Sequence, residues 1–490
     1  MRLTILFLLL LIGIVQSWSQ HEPQTYIPDP DPLVQQKLEQ WQNLKFGLLM
    51  HWGTYSQWGI VESWSICPED YGWCERKKGN SPENYFEYVK EYENLKSTFN
   101  PTRFDPERWA KAAANAGMKY VIFTTKHHDG YCMFDTKYTD YKITDVGCPF
   151  HSNPKANVTK EIFDAVRAEG MWVGPYFSKP DWHNNDYWYP YFSPMDRNVN
   201  YDPAVYPEKW ENFVQFTQNQ IMELMTDYGP VDILWLDGGW VRKHTKEEID
   251  NYYRDTSNYS ASGFMKTKLI NQDIHMDELV KKAREKQPGL IVVDRAVPGK
   301  NQNYLTPENR VPEEALPYPW ESCIIAGGSW SWVPDATYMS GREAIHLLVD
   351  IVAKGGNLLL NIAPGPEGQW HEEAYKMLEE IGGWMKVNSE AIYDTRAFYP
   401  FKEGRVCYTK SKAESIYAIY LVEENEDVFS EELALPGLHD ESIKNIEILG
   451  FGAKINWKVT DENLVIQIPL ALRKKLVENY AVTFKISLNE

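Results

Sequence analysis

Val231-Asp232-Ile233-Leu234-Trp235-Leu236-Asp237-Gly238-Gly239 reads as a buried strand that stops at a carboxylate and two glycines. A run of Val, Ile and Leu belongs inside a sheet or barrel, so its last side chain stands at the mouth; paired glycines there let another segment approach the backbone closely. Asp237 is therefore a candidate to attack or position a substrate, and capping of the next helix is the alternative reading.

The same hand-over from apolar run to polar residue recurs along the chain. Residues 46–50 lead into His51-Trp52-Gly53, 120–125 into Lys126-His127-His128-Asp129-Gly130, 171–175 into Tyr176, 290–293 into Asp294-Arg295, and 356–360 into Asn361. Helical patterns lie between these runs. Asp105-Pro106 is an N-cap with proline at the first helical position, opening a helix through Trp109, Ala113 and Ala116. Segments 207–228, 342–354 and 375–385 also carry apolar residues at helical spacing. Strand alternating with helix predicts a parallel sheet. Side chains delivered from so many strand ends predict an α/β fold of the (β/α)8-like barrel type, which gathers them into one mouth. No Gly-x-Gly-x-x-Gly follows an early strand, which weighs against a dinucleotide fold.

From about residue 391 the pattern changes. Segments 415–422, 463–468 and 480–486 are short β-type runs separated by charged, Gly- or Pro-containing turns, which predicts a C-terminal β-sandwich. The expected division is a catalytic domain over 20–390 and a sandwich over 391–490, the latter packing against the barrel rather than binding carbohydrate. Met1-Arg2, an apolar run over 3–15 and small residues at Ser17 and Ser19 have the layout of a secretory leader over 1–19, too short for a membrane anchor. The mature chain is then secreted or periplasmic. In an oxidising compartment Cys67 and Cys74 are the first pair expected to join.

A formal charge of −19 without a basic patch argues against a nucleic-acid partner. With 19 Trp and 30 Tyr the chain has aromatic faces to offer the C–H faces of sugars, although most of these rings belong to the core. His127-His128-Asp129 raises a metal site, but neighbours on a strand point to opposite faces and no third ligand stands at metal spacing, so neither metal nor other cofactor is called for. Neither a Gly-x-Ser-x-Gly elbow nor a P-loop is present. What remains is a strand-end carboxylate, histidines, an arginine, and glutamates at 308 and 321; two facing carboxylates are what glycoside hydrolysis requires.

Taken together, His51-Trp52-Gly53, Lys126-His127-His128-Asp129-Gly130, Trp235-Leu236-Asp237-Gly238, Trp320-Glu321 and the stretch from Lys354-Gly355-Gly356-Asn357 to Asn361-Ile362-Ala363-Pro364 resemble the α-L-fucosidases of glycoside hydrolase family 29. The resemblance implies a retaining hydrolase that removes terminal α-L-fucose from a fucosylated glycan, through a covalent intermediate on Asp237. It also implies that His51, His127, His128, Tyr176, Trp235 and Arg295 surround the sugar. For the acid/base it leaves two candidates, Glu308 in Leu305-Thr306-Pro307-Glu308 and Glu321 in Pro319-Trp320-Glu321. Glu308 is favoured for its interval from Arg295 and its loop position, with Glu321 then in a supporting role beside the sugar. One departure stands out: many relatives have Glu directly before Trp, whereas Ser63 here separates Glu62 from Trp64. An inactive secreted sugar-binding protein and a hydrolase of a related sugar such as α-L-galactose are the alternatives. No membrane insertion is expected, and the oligomeric state is unassigned.

Overall fold

The apolar runs become short enclosed strands. The computed structural model describes residues 26–436, 438, 443–453, 455–460 and 463–489; the leader expected over 1–19 lies outside them. Seven strands form the central sheet: β1 (Phe46–Met50), β2 (Tyr120–Lys126), β3 (Trp172–Ser178), β4 (Ile233–Asp237), β5 (Ile291–Asp294), β6 (Glu321–Ile325) and β7 (Asn357–Asn361). Their order is β5-β4-β3-β2-β1-β7-β6 and every pairing is parallel. Every residue of β1, β2, β5 and β7 is buried, as expected of a parallel sheet covered on both faces.

The sheet curls as a barrel does, with one difference from eightfold symmetry. Between the edge strands β5 and β6 stands an irregular segment in place of an eighth strand. Gln302 bridges antiparallel to Val293, and Leu305 and Glu308 then bridge parallel to Trp320 and Cys323. Glu308 rides on this closing segment.

The helices begin where the sequence marks them. Asp105 accepts from the Arg108 N–H at 3.0 Å and starts the helix Pro106–Asn115. Ser340 and Glu343 form a capping box at the start of Gly341–Ala353, whose apolar face lies in the main core.

The last helix on the barrel side, Glu372–Asn388, gives way to two antiparallel sheets. The larger joins β8 (Thr395–Glu403), β9 (Val406–Ser411), β10 (Ile416–Leu421), β12 (Ile443–Ile448) and β15 (Ala481–Leu488); the smaller joins β11 (Glu432–Pro436), β13 (Asn456–Val459) and β14 (Asn463–Gln467). Period-two alternation in β10 explains how this unit attaches. Ile416, Ala418 and Tyr420 fill the sandwich interior, while Tyr417, Ile419 and Leu421 join the main core with the barrel helices. Among the described residues no helix is long and apolar enough to cross a membrane. All six cysteines are buried free thiols, so the expected Cys67–Cys74 bond is not formed, although the two sulfurs lie within 4.8 Å of one another.

Candidate active site

Asp237 closes β4 at the carboxyl end of the sheet. The two glycines after it are needed for close approach. Gly238 has φ +85°, and a Cβ there would stand 2.3 Å from Pro180 Cδ; one on Gly239 would stand 2.8 Å from the Arg295 carbonyl oxygen. The β3 and β5 loops can thus press against the strand end. From β3, Tyr176 donates its hydroxyl to Asp237 Oδ2 at 2.7 Å, and from just after β5, Arg295 donates Nη1 to Oδ1 at 3.1 Å. Burial is the largest single influence and alone would raise the Asp237 pKa, but the Arg295 charge, the nearby His128, the Tyr176 hydroxyl and the Gly238 N–H together outweigh it. The carboxyl is held well below its usual range.

The other fork of Arg295 reaches Glu308. Its Nη2 bonds Oε2, while Oε1 accepts from the Trp330 indole N–H at 3.2 Å. One guanidinium therefore links two carboxylates that are 58 and 13 residues away in sequence. Glu308 keeps 28% of its side chain exposed, compared with 16% for Asp237, and so stands nearer the mouth.

Three histidines line the same cleft. His51 follows β1 and is paired with Asn361 at the end of β7, Nδ1 to Oδ1 at 2.9 Å. Asn361 donates its amide N–H to the Trp330 carbonyl at 2.8 Å, so its Oδ1 accepts from His51 Nδ1–H and Nε2 of His51 is left as an acceptor. His127 packs flat on Tyr176, ring centroids 5.7 Å apart, and its Nδ1 pairs with Ser63 Oγ at 2.5 Å. His128 Nε2 lies 3.9 Å from Asp237 Oδ2. Burial lowers all three: His51 to about 4, His128 to about 3, and His127 well below its usual value, with like charge from His128 adding to the last. They are neutral hydrogen-bonding groups in the working range. The strand argument that would separate His127 from His128 fails because β2 ends at Lys126; both residues sit in the following turn, with ring centroids 4.2 Å apart.

Trp235, two residues before Asp237, stacks on Tyr176 at 5.2 Å and forms the floor. Below it lies Glu321. As the first residue of β6 this glutamate sits at the opposite end of the barrel from Asp237, the last residue of β4, and is 0% exposed. Tyr120 donates to its Oε2 at 2.6 Å and Trp235 Nε1 to its Oε1 at 3.3 Å. Burial raises its pKa to about 7 despite these donors. The structure does not bring Glu321 to the cleft: it is neither placed to protonate a leaving group nor to touch a sugar, because protein donors already hold both oxygens inside the barrel.

Trp330 escaped the sequence reading, and Glu62 entered it only as the glutamate that Ser63 separates from Trp64. Trp330 positions Glu308 and packs on His51 at 5.3 Å. Glu62 is 1% exposed, and burial together with the nearby charge of Glu308 raises its pKa to about 8. The only signal for Trp330 was an isolated Trp in a loop rich in aromatic residues, whereas Glu62 was marked by its place just before Ser63-Trp64. The inserted Ser63 finds its place as the partner of His127, and Trp64 stands edge-on to His128 at 5.2 Å.

A strand-end carboxylate, a second carboxyl at the mouth, an arginine between them and neutral rings around them make a site suited to glycosyl transfer. Comparison with known proteins agrees. The family model for α-L-fucosidase matches residues 13–390, and that for the α-L-fucosidase C-terminal domain matches 401–487. The chain is 27% identical to the human plasma α-L-fucosidase over 475 residues, covering 92% of this chain and 90% of that one. Among solved structures it resembles α-L-fucosidase isoenzyme 1 from Paenibacillus thiaminolyticus, with TM-score 0.72, 28% identity and coverage of 94% and 100%. It also resembles the Thermotoga maritima α-fucosidase in complex with a mechanism-based inhibitor, with TM-score 0.68, 25% identity and coverage of 94% and 100%.

Proposed function

The chain belongs to the α-L-fucosidase family, and from that premise we propose that it is an exo-acting retaining hydrolase of terminal α-L-fucosides, with Asp237 as nucleophile and Glu308 as acid/base. The observation that carries this reading is the single guanidinium of Arg295 bonded to both carboxylates. It favours the separation of about 5–5.5 Å that retention uses over the roughly 6.5–9.5 Å that leaves room for an inverting water.

In the first step an Asp237 oxygen bonds to the anomeric carbon as the bond from that carbon to the leaving oxygen breaks. Glu308 gives its proton to that oxygen. For this Glu308 must leave Arg295 and take up a proton as substrate enters. In the second step Glu308 takes a proton from water, the water oxygen bonds to the anomeric carbon, and Asp237 departs with its charge restored. His51, His127, His128 and Tyr176 supply hydrogen bonds for the ring hydroxyls, and Trp235 supplies a floor. Glu321 supports that floor from below. The mature protein acts outside the cytoplasm after loss of residues 1–19, and the unit from 391 onward stabilises the barrel.

The test is Asp237→Gly. Turnover of an aryl α-L-fucoside should fall by roughly three orders of magnitude or more, and azide should restore it with release of a fucosyl azide. Near-normal activity in that variant would remove Asp237 from its role. Turnover of an aryl α-L-galactoside in preference to the fucoside would move the protein to the related-sugar reading.

A further inference from the structure

The loop between Cys67 and Cys74 holds a feature that the catalytic account leaves unused. Tyr71 and Trp73 stack face to face, with ring centroids 4.6 Å apart and planes 4° from parallel, yet they are 38% and 37% exposed. Single exposed aromatics are ordinary on protein surfaces, but a pair stacked on one another near a sugar cleft is not. The loop is anchored at both ends by buried Cys67 and Cys74. Between them Glu69 accepts from the Arg197 backbone N–H at 3.0 Å and from its Nε at 2.8 Å.

Arg197 ties the pair to the cleft. Its guanidinium lies 5.9 Å from the Tyr71 ring, 4.8 Å from Trp64 and 5.1 Å from Trp240. Trp64 and Trp240 each stand 5.2 Å from His128, the neighbour of Asp237. One layer of rings and a cation therefore runs outward from the nucleophile to Trp73. The cleft floor is closed by buried His51, His127, Tyr176 and Trp235, so whatever is attached to the fucose has to leave over the rim.

We propose that Tyr71 and Trp73 form a platform that stacks on a pyranose ring of the neutral glycan carrying the fucose, and so select long glycans over short fucosides. The proposal rests on the fucosidase reading. A face fixed before binding spends little conformational entropy on capture, and an aromatic ring matches the C–H face of a neutral sugar.

The test compares kcat/KM of the full chain and of Tyr71→Ala and Trp73→Ala on a neutral fucosylated oligosaccharide and on α-L-fucosyl fluoride, whose leaving group is a single atom. Each variant should lose about tenfold on the oligosaccharide and stay within about twofold on the fluoride, whereas Trp73→Phe should keep most of the oligosaccharide rate. Equal loss on both substrates, or no loss on either, overturns the platform. If the wild-type chain hydrolyses neither substrate, it is the fucosidase reading that fails. The platform is then judged by binding of the unfucosylated oligosaccharide, followed by tryptophan fluorescence: a response that vanishes in Trp73→Ala supports it, and no response in the wild type overturns it.

Discussion

Arg295 sets the charge state of Asp237 against the cost of burial, and that balance can be moved. In Arg295→Met the carboxyl keeps its burial and loses the cation that offsets it, so its pKa rises. The acid limb of kcat/KM should move to higher pH by about one unit or more, and kcat should fall by roughly a hundredfold or more, in a pH–rate profile on an aryl fucoside. An unmoved limb would mean that Arg295 does not control the nucleophile. His51 and His128, at about 4 and about 3, titrate too low to shape that profile near neutrality. The acid/base is tested by leaving group. Glu308→Ala should lose far less on a fucoside with an activated aryl leaving group than on a natural glycan, and Glu321→Ala and Glu62→Ala should show no such difference. A leaving-group effect confined to Glu62 would transfer the role to that residue. Asp237, Arg295, Tyr176 and the histidines were legible because each follows an apolar run. Trp330 was not, and Glu62 was noticed only for the serine that parts it from Trp64, since both reach the cleft from long loops whose path no local periodicity records.

Among the elements, β6 was the strand the sequence hid. Its residues Glu321-Ser322-Cys323-Ile324-Ile325 open with a glutamate and a serine, which breaks the apolar run by which the other strands were recognised. The polar start is tolerated because Tyr120 and Trp235 donate to the glutamate within the barrel. This makes β6 pH-sensitive. The folded pKa of Glu321, about 7, lies above its ordinary value of 4.5, so its contribution to stability is fully present below about pH 4.5 and is lost as pH rises through 7. Glu62, raised to about 8, acts in the same direction. The loss from Glu321 should be on the order of 3 kcal/mol between these limits. Glu321→Gln turns an amide N–H toward an indole donor and should lower stability at every pH, but the fall in Tm between pH 5 and 8 should be shallower than in the wild type. An equally steep fall would show that Glu321 is ionised throughout. The eighth barrel position gave no strand signal for a related reason: a segment that bridges β5 antiparallel and β6 parallel within a few residues carries no strand-length pattern.

At the scale of the whole molecule, the barrel and the sandwich share a core. Tyr417, Ile419, Leu421 and Ala481 lie in the same apolar cluster as Leu348, Val352 and Trp384 of the barrel-side helices. Trp384 also donates its indole N–H to the Ala481 carbonyl at 2.9 Å. Two units joined in this way should unfold together, so calorimetry of the full chain should show one transition. Ile419→Ala, which empties a fully buried site in the shared layer, should cost about 2–5 kcal/mol and lower that single transition. Two resolved transitions, with only the smaller displaced, would contradict the shared core. Short β-type runs between charged turns announced a sandwich, but β10 is buried at every position, and only the fold shows that its two faces serve different partners. A retaining reaction requires a sugar bonded to Asp237 during each cycle. The most direct measurement is mass spectrometry of the chain after reaction with 2-deoxy-2-fluoro-α-L-fucosyl fluoride, in which the fluorine slows release of the intermediate. The intact mass should rise by one fluorofucosyl group and peptide mapping should place it on Asp237. A label on another residue, or an unlabelled enzyme that still consumes the fluoride, would contradict the account.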